Sequence, residues 1–166
     1  MQLAAAGWHV VSVEQHTRRA ERLRENLTRT RLSADIVVDD VMTWEPANRA
    51  DAILIDAPCS ATGIFARHPD VLHRIGPKDI ASLSGLQSRM LARAADWLAP
   101  NGRLVYATCS LEPEEGEHIV TASNLAIDPV SPEELPPGIA PCVEGWVRIL
   151  PTPGRDGFFI ARLKRR

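Results

Sequence analysis

The 166-residue sequence lacks the features that place a protein in or across a membrane. No apolar run approaches the roughly 18–20 residues that are needed to cross a bilayer. Residues 1–7 carry no basic leader and are too short for the apolar part of a secretory signal. These absences predict a cytoplasmic location, without a membrane partner, where thiols stay reduced.

Cysteine is scarce, and its spacing argues against two common uses of this residue. Cys59, Cys109 and Cys142 lie far apart, and no two of them form a Cys-x-x-Cys pair. This pattern excludes a small disulfide framework and predicts that there is no metal site. Any chemistry of these cysteines must therefore come from where the fold places each of them.

The sequence also has no strong excess of positive charge. Its net charge is −2, and basic residues concentrate only in residues 17–31, with six Arg against two Glu, and in residues 164–166. A nucleic-acid-binding protein usually shows a concentrated basic surface, whereas arginines along a helix are more often ordinary solvent-exposed residues. Charge alone therefore does not identify a partner.

Hydrophobic periodicity predicts strands that alternate with helices along one domain, residues 1–166. Strands are predicted at residues 8–14, 34–38, 52–55 and 103–107, and helices from residue 17 and at 78–98 and 112–122. Irregular segments are predicted at residues 60–77 and 128–141, and a closing antiparallel hairpin at 146–150 and 158–163. This order is typical of an α/β fold with a doubly wound, mostly parallel sheet.

Reactive side chains directly follow the predicted strands. Glu14, Asp40, Asp56 and Cys109 each come just past a strand end, and Asp39 is an equal alternative to Asp40. In a doubly wound sheet, ligands bind beyond the carboxyl ends of the strands. An acid at such a position can accept hydrogen bonds from both hydroxyls of a ribose, which is the role predicted for Glu14. Asp40 is predicted to accept a hydrogen bond from an adenine amino group.

Two cysteines are predicted to lie at the ends of adjacent strands. Cys59 closes Asp56-Ala57-Pro58-Cys59, and Cys109 is the centre of Thr108-Cys109-Ser110. Either cysteine alone would more often be a small buried apolar residue. Two thiols at one edge of a sheet favour a functional role over a purely structural one. We expect the two side chains to lie within reach of each other.

Residues 56–63 and 106–110 resemble the two cysteine motifs of the Sun-type RNA (cytosine-5) methyltransferases. The similarity continues at residues 67–70, which include His68, and at 86–88, 98–102, 112–115 and 156–161. The resemblance implies a Rossmann-like methyltransferase fold and S-adenosyl-L-methionine as the cofactor. It also implies methylation of cytosine at carbon 5 in a ribosomal or transfer RNA.

By this resemblance, Cys109 is the nucleophile and Cys59 is the thiol that assists release of the methylated base. Attack of a thiolate on carbon 6 of cytosine leaves enamine character at carbon 5, which can then accept a methyl group. Asp56 is implied to lie near the methyl donor and the base, where it supports charge at N3. Glu14 and Asp40 are implied to hold the adenosine part of the cofactor.

One part of the family pattern has no counterpart in this sequence. The catalytic domain of the family begins with a strand and a loop resembling Asp-x-Cys-Ala-Ala-Pro-Gly-Gly-Lys-Thr, and residues 1–5 match the helix that follows that loop. We therefore expect a domain without its first strand, in which the flanking strands pair directly or a strand is exchanged with another molecule. We also expect the chain by itself to bind the cofactor weakly and to be weakly active or inactive.

Other functions are less favoured by the same residues. A catalytically inactive module of this fold that binds RNA or acts as a scaffold stays open as the alternative. An enzyme that methylates amino groups typically carries Asp/Asn-Pro-Pro-Tyr, and Cys59 stands where that motif places its aromatic side chain. A dehydrogenase is disfavoured because the sequence contains no Gly-x-Gly-x-x-Gly.

Overall fold

The computed structural model describes all 166 residues, which divide into two compact units, residues 1–47 and 48–166. The interpretation of residues 1–166 as one domain stays a prediction. The first unit contains helix α1 (Gln2–Ala5), strand β1 (Val11–Val13), helix α2 (Thr17–Thr30) and strand β2 (Asp35–Val37). The two strands pair in parallel, with β1 opposite β2 along all three residues of each. Helix α2 buries Ala20 and Leu27, which lie two turns apart on one face.

The second unit contains five strands and three helices. They are β3 (Ala50–Asp56), α3 (Val71–Arg74), α4 (Pro77–Trp97), β4 (Leu98–Thr108), α5 (Glu117–Ala122), β5 (Leu125–Ile127), β6 (Val147–Ile149) and β7 (Phe158–Arg165). Short 3₁₀ turns occur at Thr62–Ile64, Pro113–Glu115 and Pro132–Glu134.

Strand β7 organises the larger sheet, whose order is β3-β4-β7-β5 with β6 also paired to β7. Strands β3 and β4 are parallel, whereas β7 runs antiparallel to β4, β5 and β6. The pairing of β6 with β7 confirms the predicted closing hairpin. Helices on a mixed sheet, together with the parallel pairs β3–β4 and β1–β2 of the two sheets, confirm the predicted Rossmann-like α/β class.

The core of the second unit forms where helix α4 meets strands β3, β4 and β7. Leu91 and Ala94 of α4 are buried, as are Leu104 and Tyr106 of β4. The ring of Tyr106 packs edge-on against Phe159 of β7, with ring centroids 6.4 Å apart. Ile55 of β3 belongs to the same core, so the packing holds β3 and β4 side by side and fixes the start of the loops that follow them.

Helix α4 begins and ends close to its predicted boundaries. Pro77 occupies its first turn, where a missing N–H costs nothing, and the Asp79 carboxylate accepts a hydrogen bond from the Gly76 N–H at 2.9 Å. The helix ends at Trp97, and β4 begins at once, five residues before the predicted strand. An irregularity in the pairing between Ala50 and Ala52 of β3 accommodates the extra β4 residues.

Two further boundaries differ from the prediction. Helix α5 starts at Glu117 instead of residue 112, because Pro113 opens a separate 3₁₀ turn and Gly116 interrupts the helical backbone with φ −125° and ψ −94°. Strand β5 was not predicted, since three residues are too few to give a periodic signal.

Strands β1 and β3 each have one hydrogen-bonded neighbour. Strand β1 pairs with β2 in the first unit, and strand β3 pairs with β4 in the second. Large apolar side chains on both strands are exposed, with Val11 of β1 at 45% and Leu54 of β3 at 56%. The expectation that the strands flanking the missing one pair directly, or that a strand is exchanged with another molecule, stays a prediction. The structure contains no helix that is long and apolar enough to span a membrane.

Candidate active site

The two cysteine loops lie side by side because they follow two parallel neighbouring strands. Asp56, the last residue of β3, pairs with Ala107 of β4, and the Ala57 N–H donates to the Ala107 carbonyl oxygen at 3.0 Å. The chain then turns so that the Sγ atoms of Cys59 and Cys109 are 3.5 Å apart. This places the two thiols in contact, as the strand-end argument predicts. Asp56 is exposed at the same strand end.

The hydrogen bond between the thiols separates their pKa values. It lowers the pKa of Cys109 to about 7, against the opposing effects of burial and of the Asp56 and Asp156 carboxylates. The same hydrogen bond, together with burial, raises the pKa of Cys59 well above that of an ordinary thiol. Near neutral pH, Cys109 is thus the thiol that ionises, whereas Cys59 keeps its proton and donates a hydrogen bond to the neighbouring sulfur.

A buried polar cluster holds the residues that follow the two cysteines. Ser60 and Ser110 are buried, and their Oγ atoms are 3.0 Å apart. Both hydroxyls donate to one carboxylate oxygen of Glu115, which is fully buried. Gln87 of helix α4 donates from Nε2 to Glu115 at 3.0 Å and to the Pro58 carbonyl oxygen at 2.8 Å. The cluster therefore joins both cysteine loops to α4 and to the 3₁₀ turn Pro113–Glu115.

No role for Glu115 could be predicted from the sequence. Its neighbour Glu114 has the same side chain but is exposed, so the pattern Pro-Glu-Glu-Gly by itself predicts only an acidic surface turn. The two glutamates differ only once the chain is folded. The side chain of Glu115 then accepts hydrogen bonds from Ser60, Gln87 and Ser110, and the first two of these are distant in the sequence.

A third loop, which contains Gly157 and precedes β7, contacts the two cysteine loops through its backbone. The Gly63 N–H donates to the Cys109 carbonyl oxygen, and the Gly157 N–H donates to that of Gly63, both at 2.8 Å. A Cβ atom at Gly63 would clash with the Gly157 carbonyl oxygen and lie 2.7 Å from that of Cys109. Arg67 forms an ion pair with Asp156 across the same junction, and this lowers the pKa of Asp156. Glycine is thus required at position 63 because the backbones approach so closely.

Arg148 of strand β6 adds a further contact to the Cys109 loop. Its Nη1 donates to the Ser110 carbonyl oxygen at 2.7 Å, and its guanidinium also forms an ion pair with Glu117. The group lies over the Phe159 ring, with Cζ 4.9 Å from the ring centroid. The cation is neutralised by Glu117, so it acts here as a structural anchor.

The two predicted nucleoside-binding acids lie together in the first unit. Glu14 follows β1, and its N–H donates to the Val37 carbonyl oxygen of β2 at 3.0 Å. Asp40 follows β2, and its carboxylate accepts hydrogen bonds from the Met42 N–H at 2.8 Å and from the Gln15 side chain at 3.4 Å. Both acids therefore stand past the carboxyl ends of one parallel strand pair.

Asp39 has a local role that separates it from Asp40. Its Oδ1 accepts a hydrogen bond from the Asp40 N–H at 2.7 Å, and the side chain is more exposed than that of Asp40. The arrangement of all five predicted site residues along one rim stays a prediction, because Glu14 and Asp40 belong to one unit and Asp56, Cys59 and Cys109 to the other. The structure contains no group of three or more His, Cys, Asp or Glu side chains that could hold a metal ion.

Comparison with known proteins decides the family. The family described as "16S rRNA methyltransferase RsmB/F" matches residues 1–164. The chain belongs to this family. It is 36% identical over 160 residues to the ribosomal RNA small subunit methyltransferase B of Shewanella oneidensis, covering 93% of this chain and 37% of that protein. It is 37% identical over 164 residues to the protein of that name from Thermus thermophilus, covering 98% of this chain and 41% of the relative.

A solved structure supports the same placement. The crystal structure of NSun6 from Pyrococcus horikoshii with SFG matches with a TM-score of 0.80 at 26% identity, over 95% of this chain and 41% of that one. The chain thus spans about two fifths of the length of these relatives. Methyltransferases of this family bind S-adenosyl-L-methionine, as the Sun-type resemblance implies. The role of Glu14 and Asp40 at the adenosine end of that cofactor stays a prediction; carboxylates past adjacent parallel strands can accept hydrogen bonds from its hydroxyl and amino groups.

Proposed function

We propose that these residues form the catalytic part of an enzyme that methylates carbon 5 of cytosine in RNA, with Cys109 as the nucleophile. The observation that carries the proposal is the 3.5 Å contact between the Sγ atoms of Cys59 and Cys109, in which the pKa of Cys109 is lowered to about 7. A thiol with this pKa is about half ionised at neutral pH, and the thiolate is the form that attacks an electrophilic carbon.

The Cys109 thiolate forms a bond from Sγ to carbon 6 of the base, and the displaced electron pair makes carbon 5 nucleophilic. S-adenosyl-L-methionine supplies the methyl group that carbon 5 accepts. Transfer of the carbon 5 proton to a water molecule then restores the carbon 5–carbon 6 double bond and expels the Cys109 thiolate, which returns the enzyme to its starting state. Covalent catalysis of this kind divides one difficult step into easier ones.

Cys59 suits the second half of this reaction. Its raised pKa keeps a proton on the sulfur beside Cys109, so it can donate a hydrogen bond to the departing thiolate. Asp56 lies exposed at the end of β3, where a carboxyl group can support charge at N3 of the base and so distinguish cytosine from uracil. The base must leave its stack to reach these groups, which favours a flipped or single-stranded target.

The substrate that we propose is ribosomal RNA of the small subunit. The relatives from Shewanella oneidensis and Thermus thermophilus carry that substrate in their names. A transfer RNA could be methylated by the same chemistry. The two substrates are therefore distinguished by comparing methylation of each RNA class.

The product of the reaction tests the proposal. A segment-swap protein, in which residues 1–166 replace the matched segment of the Thermus thermophilus relative, is incubated with unmodified ribosomal or transfer RNA and methyl-labelled cofactor. We expect label in 5-methylcytidine after digestion of the RNA to nucleosides. Label in a different nucleoside, or none when the unaltered relative is active, would contradict the proposed chemistry.

Glu14 provides a test of the cofactor site. Changing Glu14→Gln removes the charge that accepts the ribose hydroxyls, so we expect affinity for S-adenosyl-L-methionine to fall roughly 10- to 100-fold, the range expected for a hydrogen bond to a charged group. Glu21→Gln is the matched control, because Glu21 is exposed on helix α2. Calorimetry on the segment-swap protein measures both variants. Equal cofactor affinities of the Glu14→Gln and Glu21→Gln variants would exclude Glu14 from the site. The 166-residue chain alone should bind the cofactor more weakly than the segment-swap protein.

A further inference from the structure

A single buried carboxylate is bound by the residues that follow both cysteines. Glu115 has no exposed surface and accepts hydrogen bonds from the Ser60 N–H at 3.0 Å, from the Ser60 hydroxyl, from the Ser110 hydroxyl at 2.6 Å and from Gln87 Nε2 at 3.0 Å. Every partner can donate, so both carboxylate oxygens of Glu115 are satisfied as acceptors. A carboxylate at a buried site is tolerated when its oxygens are satisfied in this way.

The backbone of Glu115 is held in place independently of its side chain. The Tyr106 hydroxyl, at the centre of the core, donates to the Glu115 carbonyl oxygen at 2.8 Å. Gln87 anchors the carboxylate to helix α4 and also donates to Pro58, one residue before Cys59. Glu115 is therefore a fixed point to which both loops are attached.

We propose that Glu115 is a positioning residue that sets the separation of the Cys59 and Cys109 thiols by binding Ser60 and Ser110, the residues that follow them. A buried charge is a weak source of stability compared with a well-packed apolar group. Its placement between the two loops thus points to alignment of the thiols. The consequence for catalysis rests on the function proposed above, but the consequence for the thiols does not.

The geometry predicts opposite behaviour for two conservative changes. Glu115→Asp withdraws the carboxylate by one methylene, so it cannot reach both serines from a fixed backbone. Glu115→Gln keeps the length: its oxygen can accept from the Ser60 N–H and Gln87, and its amide can donate to the serine hydroxyls, which are able to turn round and accept. If alignment is the role, Gln preserves the thiol contact and Asp breaks it. If negative charge is the role, Asp preserves function and Gln does not.

Thiol reactivity in the reduced 166-residue chain distinguishes these cases. The rate of alkylation by iodoacetamide is measured from pH 5 to 10, and peptide mass spectrometry separates Cys59, Cys109 and Cys142. Loss of the hydrogen bond from Cys59 raises the pKa of Cys109 towards its ordinary value, so its alkylation at pH 7 should fall about tenfold in Glu115→Asp. Glu115→Gln should stay within about twofold of the unaltered chain, and Cys142 should not change in either variant.

Glu114→Asp is the matched control, because Glu114 is the adjacent residue of the same 3₁₀ turn and is exposed. Thermal unfolding establishes that each variant is folded. If Glu115→Asp does not fold, Ser110→Ala replaces it: this change removes the hydroxyl contact between Glu115 and the Cys109 loop and should lower Cys109 alkylation severalfold at pH 7. Folded Glu115→Asp or Ser110→Ala that alkylates at the original rate, with only a lower melting temperature, would make Glu115 a purely structural residue and overturn the proposal.

The outcome is separable from that of the proposed function. A segment-swap protein that forms no 5-methylcytidine, with thiol rates that follow the Glu115 variants as expected, would refute the reaction and keep the positioning role. Formation of 5-methylcytidine, together with alkylation rates that do not change in the Glu115 variants, would support the reaction and refute the positioning role.

Discussion

Replacing Cys109 by alanine is expected to abolish methylation by the segment-swap protein, whereas replacing Cys59 by alanine is expected to trap the enzyme on its RNA. Cys109→Ala removes the sulfur that bonds to carbon 6, and loss of a catalytic nucleophile typically lowers turnover on the order of 10³-fold or more. Cys59→Ala leaves the nucleophile but removes the neighbouring proton donor, so the covalent Cys109–RNA species should form and then persist.

Denaturing gel electrophoresis with labelled RNA measures the covalent species directly. Cys142→Ala is the control, because Cys142 lies outside the thiol pair and should turn over normally. An adduct that persists in Cys109→Ala and is absent in Cys59→Ala would exchange the two roles. Absence of an adduct in both variants, with methylation retained in either, would exclude the covalent mechanism.

The pH dependence of adduct formation gives the same experiment a second readout. In the unaltered site, the hydrogen bond from Cys59 lowers the pKa of Cys109 to about 7, so the reactive thiolate is present from near-neutral pH upward. Cys59→Ala removes that hydrogen bond, and the pKa of Cys109 should rise towards its ordinary value of 9.0. Adduct formation by this variant should therefore be slow at pH 7 and recover as the pH approaches 9.

The position of the thiol pair could be predicted from sequence because it follows from strand order alone. Cys59 and Cys109 each follow a strand of a parallel pair, and parallel neighbours bring their carboxyl ends to one edge. The 3.5 Å separation between the sulfurs could not be predicted in this way. It depends on Glu115, whose partners Ser60 and Gln87 lie 55 and 28 residues away in the sequence and become neighbours only after folding.

The misjudged strand boundaries have a common physical cause. Residues 125–127 form a strand because β7 offers an antiparallel partner at residues 163–165, and nothing within the three-residue segment requires it. Strand β4 likewise extends back to Leu98 because Ala50 pairs with it across an irregular register. Long amphipathic elements such as helix α4 carry their own signal, whereas short strands are defined by partners distant in the sequence.

Gly63→Ala is expected to destabilise the second unit by about 1–3 kcal/mol, the usual cost of inserting a methyl group into a closely packed site. The added Cβ would meet the carbonyl oxygens of Gly157 and Cys109, which belong to backbone segments that are hydrogen-bonded to Gly63 and cannot rotate away as a side chain would. The three loops must therefore separate, and the Cys59–Cys109 contact should weaken together with stability.

Gly85→Ala is the matched control for this change. The nearest atom to a Cβ at Gly85 is the flexible Arg89 guanidinium, with Nη1 at 3.7 Å, so the methyl group fits. Because alanine is the better helix former, this variant of helix α4 should gain up to about 1 kcal/mol of stability. Urea denaturation of the two variants and the unaltered chain measures both effects, and iodoacetamide alkylation at pH 7 reports on Cys109. If the Gly63→Ala chain keeps its stability and its Cys109 reactivity, the loops have room for a side chain. That result would contradict the close backbone approach on which the geometry of this site depends.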